Sequence, residues 1–191
     1  GGSLGAALAY WYLELNNERN DTNKDEMRGS YLGPSYSNEN IEKSLKQIGA
    51  KYEFIEDEIL IDKVADDLSK GNAIGWFQGR MEFGPRALGG RSILGDPRSE
   101  TMQKNLNLKV KYRESFRPFA PSVLREDVNQ WFDIDNDSPY MLIVSDVLKD
   151  KQKQMTEDEK KLFGIDKLNI KRSEIPAVTH VDYSARIQTV H

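Results

Sequence analysis

Between Glu82 and Arg98 the chain reads "EFGPRALGGRSILGDPR", and glycines and prolines at Gly84, Pro85, Gly89, Gly90, Gly95 and Pro97 interrupt it so often that no helix or strand can run far. The same stretch carries Arg86, Arg91 and Arg98. Glycine lets a backbone adopt positive φ and bring amide N–H groups close to a ligand. Pro85 suits the first position of a helical turn, so "PRALGG" is expected to form a short turn with open amides that favour an anion. Arginine adds a planar fork that grips phosphate or carboxylate through two hydrogen bonds. The competing expectation is a solvated loop whose arginines pair with Glu82, Asp96 or Glu100.

Charge distribution favours the anion. From Trp76 to Arg125 there are ten Lys/Arg against four acids, a local balance of +6; the chain total is −4, so the remainder carries −10. A cationic middle in an acidic chain points to a local anion site rather than a generally basic protein. The next stretch, "LKVKYRESFRPFAP", strengthens this. Extended, it lines Lys109, Lys111 and Arg113 on one face, where cations about 7 Å apart repel by roughly 2–3 kcal/mol at an effective dielectric of 20. Helical, it stacks Lys109, Arg113 and Arg117 at four-residue steps. Either arrangement is better tolerated beside an anion, and "RPFAP" holds Arg117 against rigid neighbours.

The 191 residues suit one domain, or one domain with a piece of another. The absence of cysteine excludes a disulfide scaffold and thiolate metal sites and is compatible with a cytoplasmic location. With two histidines, His180 and His191, no metal site is expected. No apolar run matches a membrane span. "GGSLGAALAYWYLEL" predicts a helix with a stripe of Leu4, Leu8, Trp11 and Leu15, followed by a polar loop over 16–26. Ser37 is expected to cap a helix from Asn38, with an apolar face of Ile41, Leu45 and Ile48 and a stop at Gly49. "KYEFIED" suggests a strand, "ILIDKVADDLSKGN" a helix capped by Asp62, "AIGWFQG" a strand, and "SVLREDVNQWF" a helix. "PYMLIVSDV" reads as a buried strand, 149–173 as a poorly patterned surface excursion, and "AVTHVDYSARIQTV" as a strand. The last would place His180, Asp182, Ser184, Arg186 and Gln188 on one face. The interleaving favours an α/β or α+β domain around one sheet.

The run "WFQGRMEFGPRALGGRSILGDPR…NLNLKVKYRESFRPFAPSVL", with "YLGPSYS" before it and "HVDYSARIQTV" after it, resembles the C-terminal region of the NodU-type O-carbamoyltransferases. The resemblance implies a YrdC-like open twisted sheet with helices over 27–191, incomplete because an Asn-Thr-Ser-Phe-Asn-like motif and a closing helix are expected after His191. It implies that 1–26 is the terminal helix and linker of a preceding actin-fold domain that passes the carbamoyl group to a hydroxyl acceptor. It further implies that carbamoyl phosphate and ATP, with Mg accompanying the nucleotide, are converted to carbamoyl adenylate. By position, Lys111 and Arg117 are implied as the catalytic cations, and Arg86, Arg91, Arg113 and Arg186 as phosphate ligands. Tyr112 and Phe119 are expected to pack. A non-catalytic phosphate- or nucleotide-binding module is the alternative, and an RNA-binding domain ranks last because of the acidic total charge.

Overall fold

The computed structural model describes residues 2–20 and 24–191. The chain opens with α1 (Gly2–Ala9), which continues as a π-turn over Tyr10–Glu14. The apolar stripe is there, but none of its residues is buried; Leu8 and Trp11 both face solvent. Positions 21–23 of the expected polar loop lie outside the described residues. α2 (Asn38–Gln47) starts where the sequence predicts, with the Ser37 hydroxyl accepting the Asn40 amide at 3.2 Å, and Gly49 follows with φ 65°. Its apolar face is exposed at Ile41 and Ile48.

α3 (Asp57–Ser69) begins earlier than expected, after Glu56, so Asp62 sits inside the helix and caps nothing. "KYEFIED" forms no strand; its residues run as coil into α3. β1 (Ile74–Phe77) pairs antiparallel with β2 (Arg91–Leu94), and the glycine-rich stretch is the connection between them. The "PRALGG" segment bends without forming a helical turn. α4 (Met102–Lys109) then gives way to a turned loop, so "LKVKYRESFRPFAP" is neither a ribbon nor a helix. The expected helix over "SVLREDVNQWF" divides into β3 (Ser122–Leu124), a 3-10 turn and the short α5 (Val128–Trp131).

β4 (Ile143–Asp146) is a strand but not a buried one: Leu142 just before it is 82% exposed and Val144 60%. The excursion over 149–173 holds two short helices, α6 (Glu157–Lys161), closed by a Thr156–Glu159 capping box, and α7 (Gly164–Leu168). The buried Arg172 anchors it by donating to the carbonyls of Lys167, Leu168 and Ile170. The final strand, β5 (Ser184–Val190), starts later than expected, leaving His180 and Asp182 in the turn before it.

The α/β class holds, built on two open sheets instead of one: β1–β2, and a three-stranded sheet ordered β3–β5–β4. β5 is central, parallel to β3 and antiparallel to β4. Alternation along it divides the environment cleanly. Ala185 and Ile187 enter a core with Val128, Phe132, Val147, Ile175 and Val178, while Arg186 and Gln188 leave on the other face. A smaller cluster of Met102, Leu106 and Ala177 lies beneath α4, and Phe119 packs against both. Ile187 is fully buried, so Ile187→Ala is expected to lower the unfolding free energy by about 2–5 kcal/mol, and Val144→Ala by about 0.5 kcal/mol or less. Chemical denaturation of the two variants measures both.

Candidate anion site

The β1–β2 connection is held from within by one carboxylate. The Glu82 side chain is wholly buried and its Oε1 accepts the amides of Leu88 and Gly90, each at 2.7 Å. Its Oε2 accepts Arg91 Nε at 3.1 Å, and Arg91 Nη2 donates onward to the Gly84 carbonyl at 2.6 Å. Burial pushes the Glu82 carboxyl up, but the amides of Leu88, Glu82 and Gly90, together with Arg91, outweigh it and leave the group below the usual carboxylate range. Gly90 is required here, because a Cβ would lie 3.0 Å from the Arg80 carbonyl and 3.2 Å from the carboxylate carbon it helps to hold.

A second segment clamps the connection from outside. The amides of Gly33, Met81 and Phe83 donate to the carbonyls of Met81, Pro34 and Ser30, so 30–34 lies alongside 81–83. The Tyr31 hydroxyl donates to the Leu88 carbonyl at 2.9 Å. Gln188 Nε2, from β5, donates to the same oxygen at 2.8 Å. Arg186 leaves β5 on the face that carries Gln188, so it stands on the side of the sheet where the connection lies. Its side chain is exposed. Among the described residues neither Arg186 nor Arg86 has an ion-pair partner, and Gly84, Arg86 and Ala87 leave their amides without a hydrogen bond.

The third component is the loop after α4. Val110 and Lys111 donate their amides to the Leu106 carbonyl and Arg113 to that of Asn107, folding the chain back over the helix end. Tyr112, at the tip, has φ 49° and is 86% exposed, so it does not pack as expected. Phe119 does pack, and its ring lies 5.1 Å from the Arg113 guanidinium carbon. Burial lowers the Arg113 pKa, and the charges of Arg117 and Arg86 lower it further against the opposing effect of Glu114. Arg113 therefore feels the charge of Arg117 in its own loop and of Arg86 from the β1–β2 connection. Lys111 is exposed and has no ion-pair partner among the described residues.

Not all the cations are free. Arg91 belongs to Glu82, Arg98 to Asp96, and Arg125 to Asp135 and Asp137. Arg117 meets Glu114 at 2.8 Å with both side chains half exposed. Glu100 pairs with Lys171 rather than with an arginine of its own stretch. Beside β5, Asp182 Oδ1 takes both His180 Nδ1 at 3.1 Å and the Ser184 hydroxyl at 2.7 Å. The Ser184 hydroxyl and amide pull the Asp182 carboxyl down to about 2, with His180 adding to them against burial. The carboxylate stands in the middle, so histidine does not face serine and no nucleophile–base relay is formed. Among the described residues no three His, Asp or Glu side chains assemble as metal ligands. No described helix is long and apolar enough to cross a membrane.

The sequence marks the arginines but not what holds them: Glu82 stands in it only as a competing partner, and nothing in it distinguishes Tyr31 or Asn107. An asparagine inside "NLNLK" carries no periodic signal to separate it from its exposed neighbour Asn105.

Fold and loops together make an α/β domain in which Arg113 feels the charge of Arg86 from a separate segment. Residues 65–191 match the family described as "Carbamoyltransferase C-terminus", and the chain belongs to that family. It is 61% identical over its whole length to an uncharacterised protein of Synechocystis sp., covering 31% of that protein. It is 37% identical over its whole length to nodulation protein NolNO of Sinorhizobium fredii, covering 25% of it. Over 68% of the chain it is 37% identical to the 3'-hydroxymethylcephem-O-carbamoyltransferase of Amycolatopsis lactamdurans, covering 20% of that enzyme. The chain thus spans less than a third of the length of these relatives.

Glu82 generates a pH-dependent prediction. Because its folded pKa is depressed, its contribution is present above the unfolded carboxylate pKa and is lost as pH falls through the folded value. Glu82→Gln is expected to cost about 1.5–3 kcal/mol at pH 7. That difference from the parent shrinks as pH falls below about 4, which denaturation curves across pH measure.

Proposed function

We propose that the full-length protein is an O-carbamoyltransferase and that this chain supplies the site where carbamoyl phosphate and ATP meet. Water hydrolyses carbamoyl phosphate, its oxygen replacing the bond that breaks, to give carbamate and inorganic phosphate. A carbamate oxygen then attacks the α-phosphate of ATP, pyrophosphate leaves, and carbamoyl adenylate is formed. A hydroxyl acceptor takes the carbamoyl group in a further domain, and AMP departs. Magnesium enters with the nucleotide as part of the substrate. Phosphoryl chemistry of this kind needs little from the protein beyond positioning and positive charge.

One observation carries the reading: the Arg113 guanidinium stands within reach of the charges of Arg86, from the β1–β2 connection, and of Arg117, from its own loop, in a chain of this family. Like charges so placed are stabilised by a multiply negative ligand between them. Lys111, beside them and without a carboxylate partner among the described residues, is assigned to the developing charge at the transferred group. Arg117 is assigned a role beside it, exchanging Glu114 for substrate phosphate; an ion pair this exposed costs little to open. Arg186 and Arg86 are assigned to the phosphates. Arg91 acts through the connection, by holding it with Glu82. A cytoplasmic location is part of the same reading. Residues 1–26 are read as the terminal helix and linker of the acceptor-side, actin-fold domain, which the apolar exposed face of α1 supports.

The test is carbamoyl-phosphate-dependent exchange of pyrophosphate into ATP by the full-length protein. Lys111→Ala and Arg117→Ala are each expected to lower exchange by about 10²–10³-fold. Arg98→Ala, whose arginine is already matched by Asp96, is expected to leave it unchanged. ATP binding without any exchange overturns the enzyme reading in favour of a nucleotide-binding module. RNA binding that weakens steeply with salt would favour the third class.

A further inference from the structure

The arginines of this domain differ in what holds them. Arg91, Arg98 and Arg125 are each oriented by carboxylates, which cancel the charge they position. Arg113 is oriented by an amide. Its Nε donates to Asn107 Oδ1 at 2.6 Å, and its guanidinium rests over the Phe119 ring. The Asn107 side chain is fully buried, and all its bonds serve this one loop. Nδ2 donates to the carbonyls of Ser115 at 3.1 Å and Arg117 at 2.8 Å, while the Asn107 carbonyl accepts the Arg113 amide at 3.0 Å. One neutral side chain at the end of α4 thus fixes the loop from Arg113 to Arg117 and aims Arg113 without neutralising it.

We infer that Asn107 is a positioning residue for anion binding: its amide presents the Arg113 guanidinium to a phosphate-bearing substrate with its charge uncompensated, a task an aspartate of the same shape could not perform. The chemistry follows from the donor set. An aspartate at 107 would still accept from Arg113 Nε, but it would set a negative charge against the guanidinium. Its second oxygen would face two carbonyls, with no proton to offer them at neutral pH. Both effects weaken the site for an anion, the first by charge and the second by loosening the loop that carries Arg117. This inference rests on the proposed carbamoyl phosphate site, so its test carries a readout that does not need turnover.

In the full-length protein, Asn107→Asp is expected to raise the KM for carbamoyl phosphate in the exchange reaction about tenfold or more, with kcat changed by less than about threefold. The dissociation constant for inorganic phosphate, measured by calorimetry, is expected to rise in parallel. Asn105→Asp makes the same charge change on an exposed position of the same helix and is expected to alter neither. In an Arg113→Ala background, Asn107→Asp is expected to add less than it does in the parent, because the part that acts through that guanidinium is already lost. Asn107→Ser, which removes the amide N–H donors and the Oδ1 acceptor without adding charge, serves where Asn107→Asp yields no folded protein, with the same direction and a smaller rise. Folded variants at 107 that keep both constants within about twofold of the parent overturn the inference. A parent that shows no exchange overturns the proposed reaction, and phosphate binding then decides the inference alone: loss on changing Asn107 supports it, and binding that is absent or indifferent to Asn107 ends it.

Discussion

The peptide unit of Leu88 is where the molecule is tied together. Its N–H goes to the buried Glu82 carboxylate, and its carbonyl takes both the Tyr31 hydroxyl and the Gln188 amide. Three segments far apart in sequence therefore meet at one buried residue: the connection between β1 and β2, the chain before α2, and the central strand β5. A buried peptide group left without partners is costly, so this arrangement forms as a unit or not at all.

The site follows a division of labour between scaffold charge and working charge. Glu82 with Arg91 is scaffold: the carboxylate gathers amides and closes the loop, and the guanidinium is consumed in doing so. Arg86, Lys111, Arg113 and Arg186 keep their charge, because what orients them, where anything does, is neutral or backbone. Positioning a cation with a carboxylate is easier, since the pair is attractive, but it leaves nothing for a substrate. The neutral hold on Arg113 has a different balance. It gives up the ion-pair attraction, and the partly buried guanidinium is left with a lowered pKa and an amide partner in place of a carboxylate.

The domain's outer surface reads differently from its interior. The core around Ile187 and Phe132 is small and lies on one side of β5, while α1, α2 and α3 bury no residue at all. Exposed apolar residues at Leu13, Ile48, Phe54 and Ile59 mean that these helices gain little stability from packing on the rest of the chain.

Local rules carried the sequence reading as far as they reach. The Ser37 cap, the stop at Gly49, β1, and the failure of regular structure across 83–90 follow from residue chemistry within a few positions. The arginine density that marks the site was legible as well, because charge is a property of composition. What local rules could not reach was partnership. "PYMLIVSDV" looks buried, yet β4 has no cover over Val144; "KYEFIED" looks extended, yet no neighbour pairs with it. Strands need partners, and partners are long-range. Similarly, the sequence supplied Arg91 and Arg113 as equals, and tertiary structure alone gave one a carboxylate and the other an amide. A guanidinium's charge is fixed by its chemistry, but whether that charge remains available depends on what the fold sets within three ångströms of it, and spacing along a chain does not encode that distance.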